Sequence, residues 1–180
     1  RGDGVYYAFS GEIQMSLSLT ARAVHALRLF GQRDEAAVQM LLDTQGENGR
    51  WQDDKWHISW LYNTLHLVLA LAAEPTGRSA VMHAQTDLVQ SQHANGGWGV
   101  TDEATPSETA YGLLALYTLH KEKLLTEAGR HAFRKGKSYL QQHIDQADLD
   151  RTSLWIEKEL YVPHRIEKMF ELSALLTSIE

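Results

Sequence analysis

Lys55 stands where it could bind an anion. It belongs to the Asp-Lys-Trp-His run at residues 54–57, directly before an apolar segment that is predicted to be helical. A compact ammonium group and the free backbone amides of a helix N-terminus both attract phosphate oxygens. Lys55 could instead be a solvated surface residue beside Asp53 and Asp54, and the residues alone leave both interpretations open.

Aromatic residues stand near the predicted helix starts. The face of an aromatic ring stabilises a nearby positive charge by about 1–2 kcal/mol, so such rings could line a site in which a cation forms. Ordinary packing in a core explains each ring singly. The set consists of Trp56, Trp60, Tyr62, Tyr111, Trp155 and Tyr161.

His57 is the candidate for proton chemistry. Neutral imidazole has a suitable basicity near pH 7, so His57 could orient a water molecule or accept a terminating proton; it could also be a buried, hydrogen-bonded histidine. His66 follows nine residues later and does not share a helix face with His57 at a metal-binding spacing. The sequence also has no cysteine, so we predict no metal site.

A repeat organises the chain. Two segments, 47 residues apart, read Gln, three residues, Gly, one residue, Trp, and each is followed by a further amphipathic segment. We expect the glutamine to hydrogen-bond groups at a helix end, the glycine to form a left-handed turn, and the tryptophan to pack over the next loop. A third, degraded copy includes Gly136 and Trp155. The complete copies are Gln45, Gly49, Trp51 and Gln92, Gly96, Trp98.

Helical spacing of apolar residues predicts an all-α protein, and strand signals are almost absent. Because single helix pairs cannot bury their apolar faces, the repeats should stack or close into a ring. The start at Thr105 is the best defined, with Pro106 at the first helical position and Glu108 where a capping box has its acid. The predicted helices are Met15–Phe30, Glu35–Leu42, His57–Ala73, Ser79–Val89, Pro106–His120, Glu127–His143 and Arg165–Ile179.

Length, charge and composition exclude several classes of function. The 180 residues suffice for one domain, and 43% hydrophobic with 22% charged residues is typical of a folded protein. A formal charge of −6 provides no general basic surface for nucleic acid or an anionic membrane. The longest apolar run, Leu67–Ala73, is too short to span a bilayer. We expect a cytoplasmic protein and, because the chain begins with Arg1, a piece of a longer one.

The Gln-Trp repeat resembles the QW motif of terpene cyclases, which are built as α/α barrels. Segments at 54–66, 107–111 and 154–161, in this order, resemble the C-terminal half of the catalytic β domain of bacterial class II diterpene cyclases, relatives of copalyl diphosphate synthases. The resemblance covers nearly the whole chain. It implies that residues 1–180 form the C-terminal portion of such a β domain, with only part of the ring of helix hairpins present.

The resemblance implies a reaction. In that family, an Asp-x-Asp-Asp motif protonates a terminal alkene of a linear prenyl diphosphate, here geranylgeranyl or farnesyl diphosphate, and the diphosphate is retained. That motif is absent from this sequence, and neither Asp53-Asp54 nor Asp148 with Asp150 replaces it. The acid motif and the γ domain are therefore expected upstream, and we expect this chain alone to be inactive.

The resemblance also implies roles for residues of this chain. Lys55 would bind the substrate diphosphate, with Lys158 adding charge nearby, while the aromatic set would line the cavity mouth on which inner helices converge. No cofactor is implied for this chain, although Mg²⁺ could accompany the diphosphate in the complete enzyme. The expected partners are the prenyl diphosphate and either the remaining β and γ portions or a second chain.

Two departures from the family pattern leave other functions open. Residues 59–62 read Ser-Trp-Leu-Tyr where relatives commonly have Ser-Pro-Tyr-Tyr or Ser-Ala-Tyr-Tyr, and residues 19–22 lack an asparagine and a histidine of the family. One alternative is a squalene or hopene type triterpene cyclase, whose hydrocarbon substrate would give Lys55 no anion to bind. Another is a non-catalytic α/α repeat module that binds a peptide or protein partner through exposed groove residues, which the missing acid motif and the partial ring would favour.

Overall fold

A computed structural model describes residues 4–145 and 152–179, and all seven predicted helices are present in these ranges. A 3₁₀ turn (Pro75–Gly77) precedes the fourth helix, and a hairpin of β1 (Trp155–Ile156) and β2 (Leu160–Tyr161) precedes the last. No helix in the described ranges is long and apolar enough to cross a membrane. The helices are α1 (Leu17–Leu29), α2 (Glu35–Asp43), α3 (Trp60–Leu71), α4 (Arg78–Gln90), α5 (Pro106–Lys121), α6 (Glu127–His143) and α7 (His164–Leu176).

The helices form two layers. Helices α1, α3, α5 and α7 pack side by side in chain order, each against the next. In the second layer, α2 packs on α1, α4 on α3 and α6 on α5, and α4 also contacts α6. Helices α3 and α5 bury residues on nearly every face, whereas α6 buries one stripe, as expected for inner and outer positions. The described part of the chain is thus an arc of helix hairpins.

Helix α3 begins three residues later than predicted, at Trp60 rather than His57. The backbone N–H of Ser59 donates to Nδ1 of His57 at 3.0 Å, and the Ser59 hydroxyl donates to Glu108 at 2.7 Å. These contacts hold Ser59 in an extended conformation, with φ −81° and ψ 121°. The segment that was expected to open the helix is therefore a loop attached to the start of α5.

The glutamine and glycine of the repeat make the same contacts in both copies. Nε2 of Gln45 donates to the Gly49 carbonyl at 2.9 Å and to a carbonyl of α4 at 2.9 Å. Nε2 of Gln92 donates to the Gly96 carbonyl at 2.7 Å and to a carbonyl of α6 at 2.8 Å. Gly49 and Gly96 have φ of +87° and +92°, in the left-handed region that favours glycine. Each glutamine therefore joins its own loop to the next outer helix.

The two repeat tryptophans are fully buried. Nε1 of Trp51 donates to the Leu41 carbonyl at 2.9 Å, and Nε1 of Trp98 donates to the Leu88 carbonyl at 2.8 Å, so each closes the end of the preceding helix. A Cβ added at Gly112 of α5 would lie 3.2 Å from the Trp98 ring. Trp98 thus packs against inner helix α5, and not only over the following loop as predicted.

The degraded third copy forms no loop of this kind in the described residues. Gly136 lies within α6, where an added Cβ would be 2.4 Å from the ring of Trp98, so this glycine makes room for the tryptophan of the second copy. Trp155 lies in β1. Residues 146–151, which lie between them in the sequence, are outside the described ranges.

Candidate functional site

Lys55 is a largely buried lysine in an ion pair. Its Nζ contacts the carboxylate of Glu12, and it lies 4.5 Å from the ring centroid of Trp56 and 5.3 Å from that of Phe9. The Lys55 side chain is only 15% exposed. The interpretation of Lys55 as a solvated surface residue beside Asp53 and Asp54 is therefore wrong.

Glu12 is a site residue that the sequence analysis missed. Its side chain is 2% exposed, and its second carboxylate oxygen accepts a hydrogen bond from the backbone N–H of Ala8 at 2.6 Å. The hydrogen bond from Lys55 lowers the pKa of the Glu12 carboxyl. Glu12 and Lys55 are 43 residues apart, and no spacing rule in the sequence could have paired them.

Asp54 attaches the Lys55 loop to the start of α1. One Asp54 oxygen accepts from the hydroxyl of Ser16 at 3.0 Å and the N–H of Ser18 at 2.9 Å. The other accepts from the hydroxyl of Ser18 at 3.1 Å and the N–H of Trp56 at 2.9 Å. Because Ser16 is also the N-cap of α1, Asp54 fixes the backbone on both sides of Lys55 relative to that helix.

Four of the predicted residues form one group, called the aromatic cluster below: His57, Tyr62, Tyr111 and Trp155. The imidazole of His57 stacks on Tyr62 with 4.3 Å between ring centroids. It meets Trp155 at 5.0 Å and Tyr111 at 5.6 Å, edge to face. The cluster joins the starts of α3 and α5 to β1. It brings together three of the six aromatic side chains in the predicted set.

The other three predicted aromatic residues, Trp56, Trp60 and Tyr161, lie outside the aromatic cluster. Trp56 lies beside Lys55, and Trp60 lies under the guanidinium of Arg50 at 4.0 Å. Arg50 in turn pairs with Asp87 at 2.7 Å, so Trp60 belongs to a contact between the α2–α3 loop and α4. Tyr161 is partly exposed and lies 6.4 Å from Trp155. The six side chains therefore do not form a single cluster, and their place at the mouth of a cavity stays a prediction.

The cluster has two further members that sequence analysis had not assigned to it. His66 meets Tyr62 at 4.5 Å, and Phe170 of α7 meets Tyr111 at 5.1 Å, both edge to face. His66 lies one helical turn after Tyr62 on α3, a spacing that could have placed it on the same face. Phe170 reaches the cluster only because α7 packs against α5.

His57 is held as a neutral hydrogen-bond donor. Since Nδ1 accepts the N–H of Ser59, the ring proton is on Nε2, which has no hydrogen-bond partner among the described residues. Burial lowers the pKa of His57 to about 3. With its basic nitrogen occupied and its basicity reduced, His57 suits the orienting role better than the role of terminating base.

Glu108 supports His57 through Ser59. Its carboxylate is fully buried and accepts from the Ser59 hydroxyl at 2.7 Å, the Thr105 hydroxyl at 2.9 Å and the Val100 N–H at 3.0 Å. Burial raises the pKa of Glu108. The predicted cap at Thr105 is confirmed, because the Thr105 hydroxyl accepts the Glu108 N–H at 3.2 Å. The Glu108 side chain, however, bonds the loop of His57 rather than the Thr105 backbone.

Lys158 is exposed in the turn between β1 and β2. The hairpin that carries it is joined to the Lys55 loop by backbone hydrogen bonds from Ile156 to Trp56 at 3.0 Å and from Ile58 to Leu154 at 2.9 Å. The structure thus links the segments of the two predicted diphosphate-binding lysines. Within residues 4–145 and 152–179, no group of three or more potential metal ligands is found.

The sequence model of the squalene-hopene cyclase C-terminal domain matches residues 14–173, nearly the whole described arc. The chain belongs to this family. The aromatic cluster, the Lys55 loop and both Gln-Trp loops all lie within the matched residues.

Similar proteins include several diphosphate synthases. The chain is 40% identical over 171 residues to the (+)-kolavenyl diphosphate synthase of Herpetosiphon aurantiacus, covering 95% of this chain and 33% of that protein. It is 35% identical over 138 residues to the ent-copalyl diphosphate synthase of a Streptomyces species, covering 74% of this chain and 26% of that protein. The solved ent-copalyl diphosphate synthase from Streptomyces platensis superposes with a TM-score of 0.81 at 29% identity, covering 97% of this chain and 36% of that one.

These comparisons confirm the predicted fold class and the resemblance to bacterial diterpene cyclases of the copalyl diphosphate synthase type. Most of this chain is covered in these matches, but it spans only about a third of the length of each of these relatives. The described arc of helices therefore corresponds to only part of each of those relatives.

The stability of the protein is expected to fall between pH 7 and pH 5. Burial lowers the pKa of both His57 and His66 to about 3 from 6.5. Below pH 6.5 the unfolded chain binds protons at these imidazoles and the folded chain does not. Their contribution is therefore fully present above pH 6.5 and is lost as the pH falls toward 3. At pH 5 the loss is about 2 kcal/mol per histidine.

Thermal unfolding at pH 7.5 and pH 5.0 measures this effect. His57→Gln should remove about half of the pH dependence, because His66 supplies the other half. His131→Gln, on the exposed side of α6, is the matched control and should leave the pH dependence intact. Equal pH dependence in the His57→Gln variant and the unaltered protein would contradict the prediction.

Proposed function

We propose that the protein containing this domain is a class II diterpene cyclase. It would protonate and cyclise geranylgeranyl diphosphate, or the shorter farnesyl diphosphate, and retain the diphosphate. The observation that carries the proposal is the largely buried Lys55, held in a loop that also bears His57 of the aromatic cluster. A hydrocarbon substrate would not require this cation, which disfavours a squalene or hopene type reaction. The names of the similar diphosphate synthases support the same choice.

In this proposal, Lys55 binds a diphosphate oxygen through a charge-assisted hydrogen bond. An aspartate of an Asp-x-Asp-Asp motif outside this sequence donates a proton to the terminal alkene. The π electrons of successive alkenes then form the ring bonds, and the last cation loses a proton, so the product is an isomer of the substrate. The rings of Tyr62, Tyr111 and Trp155 would stabilise cationic intermediates, and the Nε2–H of His57 would orient a polar group beside them.

The described residues provide no set of carboxylates for a resident Mg²⁺, since no group of three potential ligands is found in them. Glu12 and Glu108 are already engaged by Lys55 and by hydroxyl and amide donors. In this proposal, any Mg²⁺ of the complete enzyme accompanies the substrate diphosphate, and this chain contacts the diphosphate through Lys55, with Lys158 adding charge nearby.

The remaining β portion of the enzyme is the proposed partner. Exposed apolar side chains follow one face of α7 and the end of α1, and include Phe30, Met169 and Leu176. A groove of about 430 Å³ between α1, α3, α5 and α7 is lined by Leu65, Phe170 and other side chains. Further helices of the ring would cover these apolar surfaces. If they stayed exposed to solvent, such surfaces would favour association between protein molecules.

The proposal is tested by product analysis with the full-length protein. Geranylgeranyl diphosphate, farnesyl diphosphate and squalene are supplied in parallel, and each reaction is extracted with and without phosphatase treatment. We expect a cyclic prenyl alcohol from one of the diphosphates only after phosphatase, because the diphosphate is retained. A cyclic hydrocarbon released without phosphatase, or conversion of squalene alone, would overturn the proposal.

A further inference from the structure

The contact between Glu12 and Lys55 occupies the group on which a diphosphate oxygen would have to bind. The Lys55 ammonium has three donors, one of which is directed to Glu12, and the rings of Phe9 and Trp56 flank it at 5.3 and 4.5 Å. Both side chains of the ion pair are largely buried. A diphosphate that enters the site would therefore find Lys55 already paired with Glu12.

We propose that Glu12 is a displaceable counter-ion of Lys55, which neutralises the lysine in the substrate-free site and leaves it when the diphosphate binds. The inference rests on the proposed function, because it assigns the diphosphate to Lys55. A buried ammonium without a partner is unfavourable, so the empty site requires a counter-charge. A diphosphate beside Lys55 would repel the Glu12 carboxylate, so the two anions compete for one cation.

Glu12 is the partner that can move. Asp54 fixes the Lys55 loop by four hydrogen bonds to Ser16, Ser18 and Trp56. Glu12 instead lies at the end of a short turn. Within this turn, the backbone N–H of Ala8 donates a hydrogen bond to the Glu12 carboxylate. The exposed side chains of Phe9 and Ile13 place this turn at the surface. In this proposal, residues 8–13 therefore move away from Lys55 while Lys55 keeps its backbone position.

The test is calorimetric titration of the full-length protein with inorganic pyrophosphate, which has the headgroup and no prenyl chain. Glu12→Gln keeps the size of the side chain and removes its charge. We expect it to tighten pyrophosphate binding about tenfold, as expected when a competing carboxylate is removed from a lysine site. The matched control is Glu127→Gln, the same charge change at a side chain that is 81% exposed, and it should change the affinity by less than about twofold.

Two further variants separate the inference from the proposed function. Lys55→Gln should abolish most pyrophosphate binding, and adding Glu12→Gln to it should raise the affinity by much less than tenfold, because competition for the lysine is gone and only the repulsion between the two anions is relieved. If Lys55→Gln leaves binding intact, the proposed function of Lys55 fails. If Lys55→Gln weakens binding but Glu12→Gln does not tighten it, only the counter-ion role fails.

Hydrogen exchange provides a readout that does not depend on a variant. In the unaltered protein, pyrophosphate should speed amide exchange in residues 8–13, since the turn loses its contact with Lys55. Unchanged or slower exchange in this segment at saturating pyrophosphate would overturn the displacement of Glu12.

Discussion

Replacing Lys55 by glutamine is expected to weaken binding of geranylgeranyl diphosphate by about 100-fold, a value typical of the loss of a charge-assisted contact to phosphate in a partly desolvated site. The side chain is only 15% exposed, so water and salt screen it little, and its aromatic neighbours hold the ammonium in place. The measurement is the dissociation constant from calorimetry at fixed salt concentration. The fold should persist, because Asp54 holds the loop independently of Lys55.

Two variants control for indirect effects of this change. Lys55→Gln leaves Glu12 unpaired, so the double variant with Glu12→Gln shows whether that carboxylate, and not the lost lysine, causes any instability. Lys121→Gln makes the same charge change at the exposed C-terminal end of α5 and should change binding by less than about threefold. An unchanged dissociation constant for Lys55→Gln would contradict the assignment of the diphosphate to this residue.

Replacing Trp98 by alanine is expected to lower the free energy of unfolding by about 3–5 kcal/mol, as for other buried tryptophans. Its ring is fully buried against Gly112 and Gly136, and Nε1 bonds the Leu88 carbonyl. Neither glycine has a side chain that could fill the resulting cavity. Urea unfolding of the purified protein measures the loss.

Trp56→Ala is the matched control for Trp98→Ala, because it removes the same side chain from a partly exposed position beside Lys55. It should cost clearly less stability than the Trp98 change. Trp98→Phe, which keeps most of the ring, should lie between the two. A Trp98→Ala protein as stable as the Trp56→Ala protein would show that the repeat tryptophan does not hold the hairpins together.

The features that could be predicted from the sequence are those that depend on near neighbours in the chain. The Gln-Trp loops follow from residues within about ten positions of one another, and their geometry is the same in both copies. The cap at Thr105 likewise requires only the next three residues. Stacking of helix pairs was expected because a single pair cannot bury its apolar faces, and inner helix α3 is accordingly buried on nearly every face.

The contacts of the site could not be predicted, because they join distant segments. Glu12 meets Lys55 across 43 residues, and Ser59 meets Glu108 across 49. The two-residue strands of the hairpin are too short to leave a pattern of alternation. Each of these contacts is set by how helices pack, which periodicity alone does not determine.

The separation of Trp60 from the aromatic cluster has a geometric reason. Trp60 and Tyr62 are two residues apart on α3, and a helix turns by about 100° per residue, so their side chains point to nearly opposite sides. Tyr62 therefore meets His57, whereas Trp60 meets Arg50. Proximity to a helix start was too coarse a criterion, and the helix period would have separated Trp60 from Tyr62.

The most direct test of the proposed protonation chemistry is to run the reaction of the full-length protein with geranylgeranyl diphosphate in deuterated water. A cyclisation that begins with proton addition and ends with proton loss should place one deuterium in each product molecule. Mass spectrometry of the product after phosphatase treatment should therefore show an increase of one mass unit. A cyclic product without deuterium, formed with release of diphosphate, would contradict the proposed class of reaction.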